Sequence, residues 1–107
     1  MATLTVTTTS FSGATLSPTA CAGGGDKFLN DGKTKFYIKN NSGGSITVTI
    51  DAQGTPGGLT ITDPTVTVGA GVEKIVGPFD PQYFNDTSGY VNLTYSGVTS
   101  LTIAPFN

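Results

Sequence analysis

The chain has 107 residues, a net charge of −2 and a pI near 4.5, which is room for one domain and one small core. It contains no His, no Trp and no Arg; its five basic residues are Lys27, Lys33, Lys35, Lys39 and Lys74. These absences exclude His-based triads, His-containing zinc sites and bidentate Arg–phosphate forks, and the low pI argues against a basic nucleic-acid face.

In chain order, the first predicted strand is Thr3–Thr9, where Leu4-Thr5-Val6-Thr7 alternates apolar and polar. Further strands are predicted at Thr34–Lys39, Ser45–Asp51, Leu59–Ile61, Thr65–Val68, Glu73–Val76, Tyr90–Tyr95 and Val98–Ile103, with the same alternation at Ile46–Ile50, Leu59–Thr62, Val66–Val68 and Leu101–Ile103. Much of the solvated parity is Thr, present 19 times, a β-branched residue that suits a half-wet pleated surface. No window carries a helical period beyond a single turn around Pro81 to Phe84. Asn40-Asn41-Ser42-Gly43-Gly44 reads as a hairpin turn, Gln53–Gly58 as a loop, and Gly69-Ala70-Gly71 and Ser96-Gly97 as tight turns. About eight short strands with such punctuation predict an all-β fold, an antiparallel β-sandwich with jelly-roll character. Ser10–Asp31, with its Gly23-Gly24-Gly25 run, reads as a long loop without an element. The expected organisation is one domain over 1–107: an N-terminal strand or arm and Gly-rich loop over 1–27, then a compact core over 28–107.

The beginning, Met1-Ala2-Thr3-Leu4-Thr5, carries no signal-peptide pattern, and no 18-residue apolar run predicts a membrane span. The N-x-[ST] matches at Asn40, Asn85 and Asn92 therefore carry no weight as glycosylation sites.

Chemistry-bearing candidates are few. Asp26, Asp31, Asp80 and Asp86 raise calcium, but their spacing fits no EF-hand, and Asp serves turns by binding nearby amides. No acid pair stands out for glycoside hydrolysis. Cys21 is alone, so it forms no intrachain disulfide, and with no His partner it reads as an incidental small residue in the loop. The Gly-rich stretches lack a phosphate-loop pattern. Lys35, Tyr37 and Lys39 share the solvated face of one strand; Tyr37 is the ring there best placed for an exposed contact. Gly77–Asp86, bent by Pro78 and Pro81, carries Phe79, Tyr83 and Phe84, a core lid or, less readily, a partner-facing patch. No catalytic residue, cofactor or metal site is expected, and no enzyme activity.

The order Gly25-Asp26-Lys27-Phe28-x-Asn30-Asp31-Gly32-Lys33-Thr34, Ser45-Ile46-Thr47-Val48-Thr49-Ile50-Asp51, Gly77-Pro78-Phe79, Phe84-Asn85-Asp86 and Val91-x-Leu93-Thr94-Tyr95-Ser96-Gly97 resembles a family of short proteins. These are the capsid decoration, or cement, proteins of tailed bacteriophages, and the resemblance spans residues 1–106. Lys33 stands where the family suggests Arg, and the loop at 54–58 is short; neither touches a catalytic residue, because the family implies none. The resemblance implies a virion protein on the capsid exterior, made in the bacterial host cytoplasm. Its implied partners are the major capsid protein and further copies of itself, as a homodimer or homotrimer, without nucleic acid or membrane. Leu4 and Val6 in the arm, Phe11 in the loop, and Tyr83 and Phe84 in the Pro-bounded loop are the expected contacts. The arm is further expected to add a strand to a neighbour's sheet. A carbohydrate- or host-binding module of a tail or fibre is the alternative.

Overall fold

The computed structural model describes residues 2–53, 58 and 62–107. The strand expected at Leu59–Ile61 and most of the loop expected at Gln53–Gly58 lie outside the described residues. Among the described residues there are nine strands and one α-helical turn: β1 Ala2–Leu4, β2 Thr19–Ala20, β3 Asp26–Leu29, β4 Lys35–Asn40, β5 Ile46–Ile50, β6 Thr65–Val68, β7 Glu73–Val76, α1 Pro81–Phe84, β8 Tyr90–Tyr95 and β9 Leu101–Phe106. One sheet has the order β1-β3-β8-β5-β6 and the other β2-β9-β4-β7.

The pairings nest. β5 pairs with β6, β4 with β7, β3 with β8 and β2 with β9, all antiparallel, and successive nested pairs alternate between the sheets. Eight strands folded on themselves this way form a jelly roll, so the fold expectation holds. β1 is an addition outside the roll, lying parallel to β3.

Period-two burial positions the core. β4 and β5 turn Phe36, Ile38, Ile46, Val48 and Ile50 inward, and β8 and β9 turn Val91, Leu93, Leu101 and Ile103 inward. Phe28 from one sheet meets Phe36 from the other edge-on at 6.0 Å, and Phe79 stacks on Phe36 at 5.8 Å. Aromatic contact thus joins the two layers at one end of the roll.

Three expectations are corrected. Ser10–Asp31 is not a structureless loop, because it supplies β2 and β3, and β3 lies inside its sheet between β1 and β8. Cys21 is not incidental loop but buried core, so the expected boundary at residue 28 cuts through packed structure. Asn40–Gly44 is not a hairpin, since β4 and β5 belong to different sheets. Buried Asn40 pegs this arch: its amide donates to the Gly44 and Val68 carbonyls at 2.8 and 2.9 Å, and its Oδ1 accepts from the Ser42 N–H at 2.9 Å. A side chain rooted in β4 that binds the backbone of the turn and of β6 in the other sheet holds the turn open across the sandwich.

Candidate functional site

The arm begins as β1, with Ala2, Thr3 and Leu4 opposite Asp26, Lys27 and Phe28. It then crosses to the other sheet. The Thr7 N–H donates to the Pro105 carbonyl at 3.0 Å, and the Asn107 N–H donates back to Thr7 at 3.0 Å. Thr9 closes the run by donating its N–H and its hydroxyl to the Asn107 carbonyl, at 3.3 and 2.6 Å. Leu4 and Val6 are half-buried and pack on the core. The arm is therefore stitched to both sheets of its own chain. The physical reason is local: β9 runs three residues past its pairing with β2, and the arm takes up backbone groups at that end of the chain.

Leu4 and Val6 line one groove together with Leu29, Asn30 and Tyr90. Leu29 is a large exposed apolar side chain there, and sequence analysis did not single it out. At the groove's end, Asn30 donates to the Phe79 carbonyl at 3.1 Å and to Asn85 Oδ1 at 2.7 Å, and the Asn85 amide returns a bond to the Asn30 carbonyl at 3.0 Å. This exchange locks the Pro-bounded loop to the β3–β4 connection.

That loop carries α1. Asp80 caps it by accepting from the Gln82 N–H at 2.9 Å, and Pro81 opens it. Phe84 packs edge-on against buried Phe79 at 5.6 Å, so the ring serves mainly as the core lid. Tyr83 is half-buried, and its carbonyl accepts from the Gln53 N–H at 2.7 Å.

Phe11 differs from every other ring. It sits on a turn closed by the Gly13 N–H to the Ser10 carbonyl at 3.0 Å, with a relative exposure of 113%. Of six Phe and four Tyr, it alone is fully exposed. The expected contacts thus form two groups and one outlier: Leu4 and Val6 in the groove, Tyr83 and Phe84 on the helical turn, and Phe11 alone.

The titratable groups are occupied with structure. The Asp31 carboxylate accepts from the Lys33 N–H and Asp86 from the Tyr90 and Ser88 N–H groups; these amides hold both below the usual carboxylate range. Asp80 is a cap, and buried Asp26 accepts from the Tyr95 hydroxyl at 2.7 Å and the Ala22 N–H at 3.2 Å. Asp26 Oδ1 has no partner among the described residues. Burial pushes the Cys21 thiol up to about 12, which leaves it protonated and a poor nucleophile at neutral pH. Among the described residues no cluster of three or more acidic or Cys side chains could hold a metal ion. Nor is any helix there long and apolar enough to cross a membrane.

The second sheet's outer surface bears Lys35, Tyr37 and Lys39 on β4, with Glu73 and Ile75 of β7 opposite Lys39 and Tyr37. The Tyr37 hydroxyl donates to Glu73, and Lys39 Nζ lies 3.8 Å from Glu73. Lys35 Nζ sits 5.2 Å from the Phe106 ring centroid, a cation–π contact. Ile75 is exposed; sequence analysis missed it, although Glu73-Lys74-Ile75-Val76 breaks strict alternation and so flags an edge.

Against this geometry, no family model, curated protein or solved structure matches the chain.

Proposed function

We propose that this chain is a structural protein of a tailed-phage particle, a decoration or cement protein on the capsid exterior. It binds the major capsid protein, self-associates as a homodimer or homotrimer, and has no catalytic role, cofactor, nucleic-acid or membrane partner. The observation that carries this reading is Phe11, an aromatic ring held on a short turn wholly outside the fold. Aromatic side chains bury large areas at low entropic cost, and they are enriched at protein interfaces. The resemblance over residues 1–106 supplies the partner. The jelly roll is compatible, being shared by viral capsid and lectin domains, but fold alone does not assign a role. A stitched-down arm also suits a protein that must resist mechanical load, and many copies on one shell gain by multivalency.

The test is co-sedimentation with phage heads stripped of the protein, quantified per capsid. Saturable binding at an icosahedral stoichiometry, weakened by Phe11→Ala without loss of melting temperature, is the expected result. No binding to heads, with recovery on tails or host glycans, would overturn it in favour of a tail or fibre module.

A further inference from the structure

We propose that β7 is a self-pairing edge. Two copies join antiparallel along β7 about a two-fold axis centred on Ile75, fusing their four-stranded sheets into one continuous sheet. This deepens the self-association in the reading above by naming its surface, but it rests on the geometry of the edge.

Among the described residues the edge is open: β7 pairs there with β4 alone. The Asn40 N–H donates to the Val72 carbonyl at 3.1 Å, and β4–β7 bonding positions alternate along the strand. The N–H and C=O groups of Glu73 and Ile75 consequently face away from β4. An open row of such groups is a template for another strand. Ile75 has a relative exposure of 65% and stands beside Tyr37 on the outer surface, so apolar area is available where the backbone is unpaired.

Charge selects a second copy and one register. A two-fold axis normal to a sheet sets the central residue opposite its own copy. Centring on Glu73 opposes two carboxylates, and centring on Lys74 opposes two ammonium groups; both are unfavourable. Centring on Ile75 opposes two isoleucines, with Lys74 facing Val76 and Glu73 facing Gly77 of the second copy. Gly77 has no side chain and lies against Lys35: a Cβ on it would stand 3.0 Å from the Lys35 Cα. Glu73, already beside Lys39, can therefore reach across Gly77 of the second copy to that copy's Lys35. The symmetry forms this ion pair twice. Pairing consumes β7 on both copies, so the assembly closes as a dimer.

The experiment uses the full chain. Sedimentation velocity over a concentration series is expected to show a monomer–dimer equilibrium. Ile75→Asp should weaken it about tenfold or more, with melting unchanged because the site is exposed. Lys35→Glu should weaken it less. Ile75→Cys tests the register. Directly opposed Cα atoms in a bonded antiparallel pair lie about 5.5 Å apart, within disulfide reach. Mild oxidation should give a covalent dimer, with buried Cys21 not competing and Thr65→Cys, exposed on the other sheet's edge, staying monomeric. A wild type that stays monomeric throughout, or equal cross-linking by both cysteine variants, overturns the proposal. If heads still bind the monomeric protein, the capsid reading stands and only this interface falls.

Discussion

Two stretches each give two strands to the sandwich, and different chemistry holds them. Over 35–50, β4 and β5 insert five large apolar side chains at alternate positions. Over 19–29, β2 and β3 offer only Phe28 as a large inward side chain, with Cys21 just beyond β2. Asp26 occupies the other inward position of β3, fully buried, bonded to Tyr95 across the sheet and to Ala22 in the preceding turn. A buried carboxylate here does for position what apolar packing does elsewhere. It costs desolvation, and it specifies one register because its partners lie at one place only.

The contrast is sharpest for Phe36, which touches both Phe28 and Phe79. Phe36→Ala should lower unfolding free energy by about 3–5 kcal/mol, read by denaturant titration. Asp26→Ala should cost less, about 1–3 kcal/mol, by leaving the Tyr95 hydroxyl and the Ala22 N–H without their acceptor. Hydrogen exchange should then show β3 amides losing protection while β5 amides keep theirs. Equal loss in both strands would mean that the carboxylate does not anchor the 19–29 stretch separately. Asp80→Ala removes the cap of a four-residue helix and should cost about 1 kcal/mol, with near-ultraviolet dichroism of Tyr83 and the Phe lid reporting local loosening.

The smallest effect is on pH. Backbone amides depress Asp31 and Asp86 in the folded state, so their folded pKa values lie below the unfolded ones. Their contribution is fully present above the unfolded value of about 4 and is lost as pH falls through the folded values. Asp51 works oppositely: burial and nearby Asp63 raise it, so acid relieves a charge the fold disfavours. A thermal melt series should show stability falling below about pH 4, and Asp86→Asn should flatten that limb. Because Asp31 and Asp86 face solvent, the slope will be shallow.

The same contrast explains what could be read in advance. β6, β7 and β8 fall where the sequence predicts strands, and β4 and β5 differ by a residue at their ends. β9 starts at Leu101, not Val98, because Ser100 takes a φ of 51° and the Leu101 N–H closes a turn onto the Val98 carbonyl. β2 and β3 were illegible because one is two residues long and the other hides a charged residue on its buried parity. Alternation also cannot distinguish a hairpin from an arch, since both bury every second residue; the placing of β4 and β5 in different sheets separates them. Among the expected contacts, the exposure of Phe11 follows from its polar surroundings at Ser10 and Ser12. The lid position of Phe84 depends on Phe79, which is not local information, whereas the broken alternation of Glu73–Val76 was a local sign of the edge that exposes Ile75.

The nested pairing also orders events in time. β5 and β6 are the innermost pair, and each further pair spans a longer separation, ending with Thr19 opposite Ile103. Each outer closure costs more chain entropy and benefits from the one inside it. Such non-local pairing predicts slow folding, in milliseconds to seconds. During synthesis the first sheet cannot be completed until β8 has left the ribosome, nor the second until β9 has. The arm, which needs Pro105 and Asn107 in place, docks only after that.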